Sequence, residues 1–167
     1  MQNRILGIDP GFDRVGVAIL SGGSSKQELL YSTCILTDKK DSHADRLLTV
    51  GVGIQKIIEE WKPTALGIEK LFFNQNVKTA LKVAEARGVI IYEAVSHGLL
   101  IFEYSPQEIK IATTGYGKAA KGDVERMVLK LINLKKPPKF DDETDAIAVG
   151  ITHLASHAQK TRLSPQK

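Results

Sequence analysis

The sequence predicts an α/β domain: a mixed five-stranded sheet with helices on both faces. Three observations predict it. Three strand-like segments with tight turns open the chain. The hydrophobic period then becomes helical. From there strand-like and helical segments alternate, as crossovers between parallel strands require.

Residues 4–9 are an apolar run with the character of a buried strand. Residues 13–20 alternate, with Val15, Val17 and Ile19 on one face, and predict a second strand. Pro10-Gly11-Phe12 is the tight turn that joins them as a hairpin. A Gly22-Gly23-Ser24-Ser25 loop precedes a third strand at 29–36. Over 43–61, Leu47, Leu48, Gly51, Ile54, Ile57, Ile58 and Trp61 recur at helical spacing, and Pro63 closes the helix. Residues 64–69 form a short apolar strand ending on an acid. A long helix follows at 75–96, and its Ala80, Ala84, Ala86 and Gly88 permit close approach of another element. Residues 99–105 are a strand stopped by Pro106. Short helices at 106–113 and 122–133 flank the loop "TGYGKAAKG", and a last helix spans 141–157.

The chain has 167 residues, enough for one domain with a substantial core. The expected organisation is a single domain over 1–158 and a polar, disordered tail over 159–167. A hydrophobic content of 43% and a charged content of 25% are those of an ordinary globular protein. No apolar run approaches the ~18 residues of a membrane span, and "MQNRILGID" lacks a signal peptide's apolar region. Cys34 is the single cysteine, which excludes an internal disulfide and a cysteine zinc cluster; its apolar surroundings predict a small buried hydrophobe. These features predict a cytoplasmic protein. The net charge is +4, and the excess is local. Eight basic residues lie between 107 and 139, against the three acids Glu108, Asp123 and Glu125. That pattern fits a phosphate-binding surface or a solvated helix face.

The acids occupy suggestive places. Asp9 ends the first strand, Glu69 ends the 64–69 strand, and Asp142 and Asp145 lie in the first turn of the last helix. In an open sheet, ligands gather at the carboxyl ends of parallel strands. If the first and fourth strands are parallel neighbours, Asp9 and Glu69 sit side by side. Residues three apart share a helix face, and Asp142 and Asp145 point away from the stripe of Ile147, Ile151, Leu154 and Ala158. Clustered carboxylates raise one another's pKa unless a cation neutralises them. Hard oxygen donors suit Mg²⁺ or Mn²⁺, and two such ions about 3.5–4 Å apart would clamp a phosphodiester. Each acid has a plainer explanation too. Asp-Pro-Gly is ordinary turn chemistry, acids favour helix N-termini, and Glu69 could pair with a surface cation such as Lys70.

The stretches "LGIDPGFDRVG", "GIEKLFFNQNVKTALKVAEARGV", "EYSPQEIK", "TGYGKAAKGDVERMV" and "DDETDAIAVGITH" resemble the RuvC family of Holliday-junction resolvases, in order, over about residues 4–153. The resemblance implies an RNase H-like (integrase-like) fold working as a homodimer that cuts two strands of a four-way junction. It implies Asp9, Glu69, Asp142 and Asp145 as catalytic metal ligands for Mg²⁺, two ions in number, with Mn²⁺ a substitute. The products would carry 5′-phosphates. Asp141 offers one more carboxylate next door. The resemblance also implies that Phe72 stacks on junction bases, with Phe73 a weaker alternative, and that Lys110 and Lys121 lie near the scissile phosphate. Lys118 is a further DNA contact. The branch-migration complex RuvA–RuvB is the implied partner, in recombination and DNA repair. Asp13 and Arg14 are read as surface residues. Three other readings remain: a different RNase H-like nuclease, an actin-like ATPase, for which the chain has half the length, and a non-cleaving junction-binding module.

Overall fold

A computed structural model of the chain describes residues 4–23, 26–71 and 77–163, with side chains described over 79–157 of the last stretch. Strands β1 (Arg4–Asp9), β2 (Arg14–Gly22) and β3 (Gln27–Leu36) form the expected antiparallel meander. The reversal at Pro10-Gly11 requires glycine, because a Cβ on Gly11 would lie 2.0 Å from the Arg14 carbonyl oxygen. Helix α1 (His43–Trp61) starts on Ser42, whose hydroxyl accepts from the Asp45 amide. It ends where Lys62 turns left-handed and donates its N–H to the Ile58 carbonyl, just before Pro63.

Strand β4 (Ala65–Glu69), helix α2 (Val77–Ser96) and strand β5 (Leu100–Tyr104) complete a sheet of order β3-β2-β1-β4-β5. β4 runs parallel to both β1 and β5. Helix α3 (Pro106–Thr114) opens with a reciprocal Ser105–Glu108 capping box and proline in its first turn. Helices α4 (Lys121–Leu131) and α5 (Asp141–Leu163) follow. α5 runs beyond the end expected at residue 157. Among the described residues, no helix is long and apolar enough to cross a membrane.

The strand period of two divides the core. Leu6, Ile8, Leu66 and Ile68 pack with Val50, Ile54 and Ile58 of α1 and with Ile90 of α2. Ile5 and Ala65 pack with Ala146, Ile147 and Ile151 of α5 and with Val124 and Val128 of α4. Helices therefore cover both faces. Each fully buried isoleucine contributes about 1.5–3 kcal/mol by leaving water. Two expectations need correction. Leu48 is turned outward, 63% exposed, because the buried stripe of α1 runs through Val50 together with the expected Gly51, Ile54, Ile57 and Ile58. Cys34 is half-buried rather than buried, since β3 is an edge strand.

α5 reaches the sheet through glycine. A Cβ on Gly7 would meet the Ala146 carbonyl oxygen at 2.4 Å, and one on Gly16 would meet that of Asp142 at 1.9 Å. From the helix side, a Cβ on Gly150 would strike Leu20 at 2.4 Å. This seam brings the helix N-terminus down onto the ends of β1 and β2. Farther along α5, buried His153 stands with its Nδ1 2.9 Å from the Tyr104 hydroxyl of β5.

Candidate active site

Asp9 and Glu69 owe their position to strand register. Ile8 pairs with Ile68 across the parallel β1–β4 ladder, so Asp9 and Glu69 are the next residues of adjacent strands. Side-chain alternation sends both to the α5 face, the face of Gly7 and Gly67, while Leu6 and Ile8 enter the opposite core. The Gly7–Gly16 seam then sets the first turn of α5 over the same strand ends.

The electrostatics are those of a crowded acidic pocket. Burial pushes the Asp9 carboxyl up to about 8, and Asp145, Glu69 and Asp142 push in the same direction. Burial, then Asp145, also raises Glu69. Asp142 is raised, mainly by burial. Two cations hold the acids of α5. Lys121 Nζ lies 2.8 Å from Asp141 and 3.0 Å from Asp145. Arg14 Nε lies 3.1 Å from Asp142 Oδ2, and its Nη2 lies 3.7 Å from Asp141. Beyond this Arg14 ion pair, the buried Asp142 Oδ2 has no hydrogen-bond partner among the described residues.

Lys110 and Lys121 line a hollow of about 280 Å³ with Glu69 and Asp145. Lys118 is exposed on the loop before α4. Asp141 is exposed, and its hydrogen bond from Lys121 holds its carboxyl low. Phe72 and Phe73 lie outside the described residues. Sequence reasoning missed Arg14, which is exposed at the surface yet paired with the acids. It also missed the clamp behind the turn, where buried Arg46 pairs with Asp13 and its Nε donates to Thr37 Oγ1 at 2.9 Å. The seam between α5 and the sheet rests on Gly7 and Gly16, each of which meets the α5 backbone.

The donor set fits a hard divalent cation. It is all oxygen, it includes a buried Asp142 oxygen that is ion-paired with Arg14 but has no hydrogen-bond donor among the described residues, and it holds Asp9 in a site where the bare charge is disfavoured. Among the described residues, no three His, Cys, Asp or Glu side chains converge on one point in this arrangement, in which Arg14 and Lys121 compensate the acids of α5.

A mixed sheet in the order β3-β2-β1-β4-β5, with helices on both faces and carboxylates at the ends of β1 and β4 and on the helix over them, is the architecture of the RNase H-like class. Residues 5–153 match the family model of "Crossover junction endodeoxyribonuclease RuvC", and the chain belongs to that family. It is 42% identical over 153 residues to the crossover junction endodeoxyribonuclease RuvC of Ruminiclostridium cellulolyticum, covering 92% of each chain. The enzyme of the same name from Alkaliphilus oremlandii is 44% identical over 149 residues, with 89% of this chain and 91% of that one covered. Among solved structures, T. thermophilus RuvC in complex with Holliday junction substrate superposes with a TM-score of 0.90 at 28% identity, covering 95% and 97% of the two chains. The yeast mitochondrial Holliday junction resolvase Ydc2 shares the fold, with a TM-score of 0.71 at 13% identity over 96% of this chain and 81% of that one.

Proposed function

We propose that the chain resolves four-way DNA junctions by paired hydrolysis of two phosphodiesters, in recombination and DNA repair, with Asp9, Glu69, Asp142 and Asp145 as ligands of two Mg²⁺ ions. Family membership makes the enzyme a divalent-metal-dependent endonuclease of crossover junctions. The observation that supports the residue assignment is that adjacent parallel strands end on Asp9 and Glu69, with the first turn of α5, at Asp142, packed on Gly16 and the acids close enough to raise the Asp9 carboxyl. When bound, the ions would supply Lewis acidity that polarises the phosphodiester and lowers the pKa of a coordinated water. The chain's own part is positional. The sheet ends fix two carboxylates and α5 fixes the other two. Lys110 and Lys121 stand where they can hold the scissile phosphate and balance charge on its oxygens. Phe72 is the stacking residue at the opened crossover, Phe73 the alternative, and Lys118 a backbone contact. Chromosomal DNA as substrate puts the reaction in the cytoplasm.

Paired cutting calls for a homodimer. Its support is an unpartnered face on the α1–α2 side: Leu48 and Val52 on α1, and Leu81, Tyr92 and Val95 on α2, are exposed. Gly88 lies on the same helix and meets nothing within 4 Å of a built Cβ, so the monomer fold does not require its smallness. RuvA–RuvB is the partner that would deliver the junction.

The test is binding of a synthetic four-way junction in Ca²⁺, against a linear duplex of the same arms. The expected result is two chains per junction and at least tenfold preference over the duplex. Equal affinity for both would overturn the reading. Lys121→Ala is expected to lower cleavage roughly a hundredfold at saturating junction. Single-turnover rates checks this, and an unchanged rate would remove Lys121 from the site.

A further inference from the structure

The acids of α5 divide two hollows. Asp145 borders the one that holds Lys110 and Lys121. Asp142 borders the other, a cavity of about 380 Å³ between the β1–β2 turn and α2. This second hollow is lined by two cations, Arg14 and Lys82, and by two acids that are already ion-paired, Asp142 with Arg14 and Asp13 with Arg46 and Lys39; Phe12 and Val83 are its apolar wall. Its floor is built rather than incidental. Phe12 is 6% exposed, its ring stacks on His43 at 4.9 Å, and the Arg46 guanidinium sits 4.0 Å from the ring centre. Thr37 donates a 2.8 Å hydrogen bond to the Phe12 carbonyl. The Arg46–Asp13 pair fixes the next residue of the turn. Lys82 Nζ hangs 5.5 Å from the Phe12 ring centre, and Arg14 reaches in from the start of β2.

The geometry points to a second phosphate seat in this hollow: it takes a phosphodiester of the cut strand that neighbours the scissile one, gripped by Arg14 and Lys82. The inference rests on the junction-cleaving function proposed above. A strand laid across Asp9 and Glu69 with its scissile phosphate beside Lys110 and Lys121 continues past Asp142 into the space before Arg14. A guanidinium matches a phosphate with paired N–H donors, and an ammonium adds a point charge. Arg14 now holds Asp142 and Asp141. Were Asp142 to take an ion as its partner, that guanidinium would be free beside the hollow it lines. The same side chain thus compensates the acid before loading and anchors the strand afterwards.

The test uses the full chain and a four-way junction in Ca²⁺, with each phosphate around the cut replaced in turn by a neutral methylphosphonate. In the wild type, one replacement flanking the cut should weaken binding roughly tenfold, as expected for a charge-assisted contact. Arg14→Gln and Lys82→Gln should each bind less tightly, lower the salt dependence by about one phosphate contact, and lose most of the sensitivity at that same position. Arg14→Lys should regain part of it. If either glutamine variant keeps the wild-type sensitivity at every position, the second seat is overturned. Failure of the wild type to prefer junctions would instead overturn the function itself. Lys82 is exposed on α2, so its variant reports on binding even if Arg14→Gln loosens α5.

Discussion

Gly16→Ala is expected to unfold at a markedly lower temperature and to lose cleavage with it. The added methyl would lie 1.9 Å from the Asp142 carbonyl oxygen and 2.4 Å from its carbon. Both are backbone atoms of the first turn of α5, so no side chain can swing aside. Either β2 or the helix start must move. Overpacking of this kind costs about 1–3 kcal/mol and sometimes more, which in a domain of this size lowers Tm by several degrees. The functional loss should exceed the stability loss. Displacing Asp142 by even an ångström breaks the relation between the α5 carboxylates and Asp9, and misplacement on that scale can cost about a hundredfold in rate. Thermal unfolding together with single-turnover cleavage below Tm checks both. A variant as stable and as active as the wild type would show that the helix does not depend on this contact.

Asp9→Asn is expected to abolish cleavage, by about a thousandfold or more, while leaving junction binding in place. In chelator it should also stabilise the protein at neutral to alkaline pH. The native carboxyl is pushed up to about 8 from an ordinary value of 3.8. Between those values the native state binds a proton that the unfolded chain does not. Wild-type stability therefore falls as pH rises through that window. Asparagine carries no such proton, so its profile there is flatter. At pH 8 the variant should be more stable than the wild type by roughly 1–3 kcal/mol, after discounting for water at the open side of the site. Added Mg²⁺ should reverse the order, because the wild type gains stability from the bound ion. Denaturant titrations at pH 5 and pH 8, with and without Mg²⁺, measure this. A wild-type profile that rises with pH in chelator would contradict the crowded-acid description.

The fold was legible because its signals are local. The alternation at Val15, Val17 and Ile19, the stop at Pro63 and the break at Pro106 each act within a few residues, and β2, α1 and α3 stand close to where they put them. Glu69 beside Asp9 was legible conditionally, since it followed once β1 and β4 were taken as parallel neighbours. Arg14 was not. Its sequence neighbours Asp13 and Val15 mark it as the start of an ordinary hairpin strand. Its ion pairs are with Asp141 and Asp142, more than a hundred residues away. Gly16 was hidden for the same reason: a glycine in a strand reads as a weak spot until a distant helix is seen to rest on it. Leu48 misled because apolar spacing alone does not distinguish a core stripe from a second, outward face. That outward face is the surface on which the dimer proposal rests.

In the proposed function, four carboxylates from two strand ends and one helix form a single ion-dependent centre that cuts crossover junctions in pairs. Incision of a synthetic four-way junction, mapped at nucleotide resolution for the wild type and Asp9→Asn, tests it most directly. The expected result is two symmetric cuts in strands of like polarity, 5′-phosphate ends, full dependence on Mg²⁺ and no cutting by the variant. Cutting in EDTA, or wild-type rates from Asp9→Asn in Mg²⁺, would contradict it.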